Sequence, residues 1–239
     1  MKVLIYNEGF HDKTDAIKAV YPNGIHGKLA EIMESDGHDV TVATLDDVAE
    51  VFTEDVVKSA DVILWWGHIK HFAVPDEVVT YVCNAVHAGT GFIALHSAHL
   101  SKPFVRLMGT TCTLRWREGD RERVWVCNPT HPIVEGIPAY FELENEEMYG
   151  EHFDIPDPDE LVLIGWFSGG EVFRSGCCFK RGLGKIFYFQ PGHESYPTYY
   201  NEHVQTIIKN AARWAGKKAR TEIPVCISAK ESPESLLNK

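Results

Sequence analysis

Histidines supply most of the chemistry this sequence offers. Gly91-Phe-Ile-Ala-Leu-His-Ser-Ala-His-Leu100 reads as a short buried strand that ends on His96 and Ser97, with His99 a turn later. The run Asp61-Val-Ile-Leu-Trp-Trp66 leads into Gly67-His68, with His71 just beyond. Lys185 to Phe189 leads into Gln190-Pro-Gly-His193-Glu194-Ser-Tyr196. Ligands of open parallel sheets bind beyond the carboxyl ends of the strands. Three strand ends therefore bring imidazoles to one edge of one sheet. Imidazole nitrogens with a carboxylate suit zinc, and three protein ligands leave a position for water or a carbonyl. The expected metal ligands are His96 and His193, with His68 or Glu147 as the third.

The carboxylate in that set comes from Glu142-Leu-Glu-Asn-Glu-Glu-Met-Tyr-Gly-Glu151. This segment reads as an acidic, mostly solvated loop. Glu147 is the residue expected to fold back into the crevice as ligand or base, with Tyr149 as a nearby phenol and Ser97 as a candidate nucleophile. Trp66, Trp116 and Tyr196 offer aromatic surface for a substrate. Arg106, and Arg115 and Arg117 on either side of Trp116, follow the His96 segment and are expected to pair with the acidic surface. Gly192 lets the chain turn sharply and aims His193 outward. His71 and His99 are expected on helix surfaces, and the remaining histidines, His11 among them, are read as structural or solvated.

The elements that must position these groups alternate in the first half. Val3 to Tyr6 is a strand, and Ile25, Leu29, Ile32 and Met33 share a helical face. A strand follows at Asp39 to Ala43. Pro75 opens a helix carrying Val78, Val79, Val82, Cys83 and Val86 on one side. Such βαβ alternation implies a parallel sheet with helices on both faces. In the second half Val124 to Cys127, Leu161 to Phe167, Glu171 to Phe179 and Lys185 to Phe189 read as strands with few helices between them. Ser168-Gly-Gly170 marks a hairpin turn. Val204, Ile207, Ile208 and Ala211 mark a closing helix.

Composition narrows the partners. The 239 residues carry a net charge of −11, which argues against nucleic acid or an anionic membrane as partner. No Walker or GxGxxG motif supports a nucleotide. The segment MKVLIYNEGF is too short an apolar stretch for a signal peptide, and no run is long enough to span a bilayer. The six cysteines form no CxxC pair and suit a reducing compartment. A cytoplasmic location is expected.

Ala94-Leu-His-Ser-Ala98 after a strand, Asn128-Pro-Thr-His-Pro-Ile133, Glu146-Glu-Met-Tyr149, Gly182-Leu-Gly-Lys-Ile-Phe-Tyr-Phe189 and Pro191-Gly-His193 occur in this order. Together they resemble the trehalose-utilisation (ThuA-like) family, from Val3 to about Trp214. The resemblance implies an α/β three-layer sandwich of the class I glutamine-amidotransferase type. Its central sheet is expected to be mostly parallel around a flavodoxin-like core. A single domain spans 1–216, followed by a polar tail at 217–239, and Ile223-Pro-Val225 reads as an arm onto a neighbouring protomer of a homo-oligomer. Amidotransferases of this type carry a nucleophilic Cys at the strand-to-helix elbow. No cysteine stands beside His96 in the sequence, so glutamine hydrolysis through a thioester has no nucleophile. The resemblance further implies a small neutral carbohydrate or its keto derivative as substrate, and a pathway oxidoreductase as partner. The leading expectation is metal-assisted isomerisation, elimination or hydrolysis. A metal-free Ser97/His193 hydrolase and a non-catalytic sugar binder are the alternatives.

Overall fold

The computed structural model describes residues 1–217 and 230–237. The tail at 217–239, including the arm expected at Ile223-Pro-Val225, therefore lies largely outside the described residues. The first half lays down β1 (Lys2–Asn7), α1 (Asp15–Val20), α2 (Gly24–Glu34), β2 (Asp39–Thr44), α3 (Val48–Val51), α4 (Glu54–Ser59) and β3 (Val62–Trp66). It continues through α5 (Asp76–His87), β4 (Gly91–Leu95) and α6 (Lys102–Met108). The second half contributes β5 (Arg115–Val126), β6 (Tyr140–Gly150), β7 (Glu160–Phe167), β8 (Val172–Arg181), β9 (Gly184–Phe189), α7 (Glu202–Ala215) and α8 (Pro233–Leu236).

All nine strands join one sheet in the order β2-β1-β3-β4-β9-β8-β7-β5-β6. From β2 to β9 the pairing is parallel. From β9 to β6 it is antiparallel. Strands β3 and β4 are buried at every position, because helices cover both faces. One core lies between the sheet and α3 to α6, built around Trp65, Phe92, Phe104 and Val79. The other lies under α1, α2 and α7, around Ile25, Leu29, Ile93 and Ile207. The expected three-layer α/β domain is the observed one, with a larger antiparallel extension than the apolar runs suggested.

Two segments differ from expectation. Glu142 to Gly150 is not an acidic loop but most of β6, in which Glu146 and Glu147 are buried. β5 begins at Arg115 rather than Val124 and pairs with β6 through register shifts near Gly119, which has φ +68°. Polar side chains hid both strands, since alternation there follows the site and not a hydrophobic face. The Ser168–Gly170 turn does join β7 to β8 antiparallel, with Gly170 at φ +95°.

Candidate acid–base site

The site lies where β1, β3, β4 and β9 end and β6 runs past them. At the end of β4 the backbone turns on His96 itself, whose φ of +53° is a conformation rarely adopted by a side-chain-bearing residue. Such strain costs about 1–3 kcal/mol and persists where the surroundings hold it. Here the holding contacts are visible. His96 Nδ1 meets the Gln190 carbonyl oxygen at 2.9 Å, and a carbonyl only accepts, so Nδ1 carries hydrogen. The other nitrogen, Nε2, lies 3.0 Å from Glu147 Oε2. Tyr149 stacks on the imidazole at 5.1 Å, with its hydroxyl 3.4 Å from Nε2.

The charges follow from this geometry. Burial works against an imidazolium at His96, but the Glu147 carboxylate outweighs it and the net shift of the His96 pKa is upward. Burial likewise works against the Glu147 anion, and the His96 cation holds its pKa below the usual carboxylate value. The pair is therefore an ion pair, fully buried on the histidine side. Glu147 Oε2 is buried against His96 Nε2, and the Tyr149 hydroxyl interacts with the same carboxylate. It is a buried anionic oxygen with lone pairs to spare.

Two further carboxylates build the frame. Glu146 is wholly buried and accepts from Glu147 N at 3.0 Å, His193 N at 3.0 Å, Gly192 N at 3.0 Å and Thr198 Oγ1 at 2.7 Å. One side chain thus ties β6 to the turn after β9. Trp66 supports the same turn from below, donating its indole N–H to Gly192 O at 3.0 Å. Gly192 sits at φ +139°, and a Cβ there would collide with the Tyr199 hydroxyl. Glu8, at the end of β1, accepts the amide hydrogens of His68 at 2.9 Å, Ile69 at 3.0 Å and Lys70 at 2.7 Å. It holds the loop that presents His68.

His68 Nδ1 lies 2.9 Å from Glu194 Oε1, so Nδ1 carries hydrogen and Nε2 keeps its lone pair. His11 Nδ1 reaches the same oxygen at 3.4 Å. Burial tends to raise the Glu194 pKa, but the His68 hydrogen bond leads the effects that bring it down to about 2. His193 differs from both other imidazoles. Its Nδ1 accepts the backbone N–H of Ser195 at 3.1 Å, and its Nε2 is buried without a hydrogen bond, 3.7 Å from Glu194 Oε2. Burial first, then the nearby His96 cation, lowers its pKa to about 4. The ring packs perpendicular to His96 at 5.3 Å and tilts against Tyr196 at 5.3 Å.

The residues expected to act thus divide. Atoms of His68, Glu147 and His193 lie within 4.8 Å of one another, as do atoms of His11, His68 and Glu194. His96 belongs to neither triad and is engaged with Glu147 instead. As a fit to a divalent ion, His68 Nε2 and Glu147 Oε2 both present lone pairs. His193 Nε2 presents N–H as long as Ser195 N occupies the other nitrogen. Ser97 Oγ is 2.6 Å from the Tyr149 hydroxyl, the place an imidazole base would need to activate it. Trp66 is buried and serves the turn. Trp116 pairs with Tyr149 in register and is 62% exposed. Tyr196 is half-buried beside His193. Arg117 does pair with acid, meeting Glu171 at 2.7 Å.

His71 and His99, expected on the surface, are instead buried. His99 donates from Nδ1 to Cys112 O at 2.6 Å, and burial takes its pKa down to about 3. The sequence reading passed over Glu8 and Glu146 and took His11 as structural or solvated. Glu8 and His11 follow the end of β1, so the strand-end rule applied to that strand would have placed both at the site. Glu146 carries no such signal, because three of its partners, Gly192 N, His193 N and Thr198 Oγ1, lie far along the chain.

The fold is shared with solved structures. A ThuA-like protein from Parabacteroides merdae is 16% identical with a TM-score of 0.66, covering 90% of this chain and 88% of its own. A protein from Salmonella typhimurium described as cytoplasmic is 14% identical with a TM-score of 0.61, covering 91% and 100%. A GMP synthase-type protein from Thermoplasma acidophilum is 14% identical with a TM-score of 0.51, covering 89% and 92%. No curated protein matches the chain. Among the described residues no helix is long and apolar enough to cross a membrane. Residues 2–215 match the family described as "ThuA: Trehalose utilisation", and the chain belongs to that family.

Proposed function

We propose that this chain is an enzyme that moves protons on a small neutral carbohydrate or its keto derivative, with Glu147 as the base. The observation that carries this reading is the buried His96–Glu147 ion pair, in which the carboxylate is held ionised 3.0 Å from His96 Nε2. A general base has to be ionised, desolvated and free on the side that meets substrate. His96 keeps Glu147 ionised, and β6 and Glu146 fix its position. The family description supplies the carbohydrate. Three carboxylates (Glu8, Glu147 and Glu194) around the site favour a neutral sugar over a phosphorylated one. A keto derivative requires an oxidoreductase to supply it, and its ketone acidifies the neighbouring C–H bond.

The test is to incubate the protein with the 3-keto form of trehalose and follow its consumption by NMR. Glu147→Gln should slow turnover by about 100-fold or more. An unchanged rate in that variant overturns the reading.

The clustering of His68, Glu147 and His193 favours a second reading, in which these residues hold a divalent cation such as zinc. When bound, that ion would act as a Lewis acid toward a carbonyl oxygen. The protein's part would be to orient His68 through Glu194 and to release His193 Nδ1 from Ser195 N. Calorimetric titration with Zn²⁺ should then show one site, abolished by His68→Ala; no binding removes this reading.

A further inference from the structure

The hydrogen bonds of His193 distinguish these two readings and point to a substrate class. A backbone N–H can only donate, so Ser195 N at 3.1 Å requires a lone pair on His193 Nδ1. In the neutral ring the single hydrogen is then on Nε2. That atom is buried and makes no hydrogen bond, with Glu194 Oε2 standing 3.7 Å away, and it belongs to the ring that shares the 4.8 Å triad with Glu147. A metal-ligating histidine shows the opposite pattern, donating from one nitrogen and binding through the other. His68 has that pattern and His193 does not.

We propose that His193 works as a neutral hydrogen-bond donor: its Nε2–H polarises the carbonyl oxygen of an α-hydroxy ketone while Glu147 removes the proton from the adjacent carbon. This rests on Glu147 as base and goes beyond it by assigning the electrophile. The C–H bond breaks toward Glu147, which gains the proton. The bonding pair becomes the C=C bond of an enediolate, and the carbonyl π pair moves onto oxygen, where Nε2–H meets it. While the enediolate is held, the proton on Glu147 exchanges with water, and return of a proton from Glu147 to the same carbon restores the ketone with solvent hydrogen in place of the original. No oxidant or reductant is consumed. A neutral imidazole suits this task because its N–H is nearly matched to an enolate oxygen and is not titrated away at neutral pH. The perpendicular His96 cation, 5.3 Å away, opposes a second charge on His193.

Long-range ¹H–¹⁵N correlation spectra of the full chain read the ring directly. The expected result is a protonated Nε2 and a bare Nδ1 at His193, unmoved by one equivalent of Zn²⁺. A protonated Nδ1, or a shift at His193 on adding Zn²⁺, overturns the proposal while leaving Glu147 free to serve in the metal reading. The second arm uses dihydroxyacetone in D₂O as the probe. The wild-type protein should exchange its methylene hydrogens, and absence of exchange overturns the substrate class. His193→Ala should slow exchange about 100-fold. His193→Gln, whose amide retains an N–H donor, should recover a measurable part of that loss, and equal loss in both variants overturns the donor role. Exchange unaffected by Glu147→Gln overturns the base assignment itself, and the proposed function with it.

Discussion

The parallel and antiparallel halves of the sheet treat charge in opposite ways. In the parallel half, β3 and β4 are apolar throughout, and polar groups appear only past their last residues. In the antiparallel half, β5 and β6 carry charged residues along their length, and Glu122, Glu146 and Glu147 lie inside the protein. The first half therefore presents side chains from strand ends, where loops can be exchanged without disturbing the core. The second pushes a carboxylate sideways into the site from the body of a strand, where its position depends on every neighbour. Precision is gained at the expense of tolerance. If that contrast is right, substitutions in β6 should disturb folding and function together, whereas those at the parallel strand ends that leave the His96–Glu147 pair intact should disturb function more than folding.

The largest expected effect is at Glu146. Its two oxygens accept from three backbone amides and one hydroxyl across two separate strands' ends. Glu146→Ala leaves those donors buried and unpaired, with an expected loss of about 3–5 kcal/mol in urea unfolding. Glu146→Gln should cost less but still destabilise, since one amide side faces a donor with a donor. A loss below about 1 kcal/mol for the alanine variant would show that the turn after β9 is held by Trp66 and Gly192 without it.

Next comes the ion pair. His96→Leu removes the cation that compensates Glu147, and breaking a buried pair from one side costs about 3 kcal/mol. Adding Glu147→Leu should return part of that loss, because the stranded charge goes too. A double-mutant cycle that shows no coupling would mean the two side chains act independently, against the geometry at 3.0 Å.

This contrast between halves also explains what the sequence revealed. Val62 to Trp66 and Gly91 to Leu95 are strands by burial on both faces, which leaves uninterrupted apolar runs that can be read directly. His68, His96 and His193 were locatable because the chemistry of a parallel sheet collects at strand ends. β6 was not legible, because a strand that buries glutamates among long-range amide donors looks like a solvated acidic loop. Nor could the sequence reveal that His193 donates while His68 and His96 point lone pairs or charge elsewhere. That distinction depends on Ser195 N, Glu194 Oε1 and Gln190 O, which are matters of backbone geometry.

An effect with a pH signature is expected at Glu122. The residue is fully buried on β5, receives one hydrogen bond from Ser175 at 2.9 Å and leaves Oε2 without a partner. Burial first, then the Glu146 charge, raises its pKa well above the ordinary value. An acid raised on folding weakens the fold as pH climbs, because the unfolded chain releases the proton first. Below its unfolded pKa near 4.5 neither state is ionised and nothing is lost. Glu122→Gln should therefore match the wild type at acid pH. Above that point its relative stability should grow by about 1.4 kcal/mol per pH unit until the folded acid itself ionises. A difference that stays constant from acid to neutral pH would mean Glu122 is ionised in the fold, and the antiparallel half would not differ from the other in the way described.

The smallest effect on stability is expected at Trp116, and it sharpens the comparison from outside the core. Trp116 lies opposite Tyr149 across the β5–β6 ladder, yet 62% of it faces solvent while Tyr149 is buried. An exposed indole with few packing partners contributes little to folding, so Trp116→Ala should stay within about 0.5 kcal/mol of wild type. Its ring face can stack on a sugar, in keeping with its place beside the strand that carries Glu147. Calorimetry with trehalose should then show weaker binding in the variant. If stability falls and affinity does not, Trp116 is part of the β5 scaffold, and sugar recognition belongs to the half-buried Tyr196 beside His193.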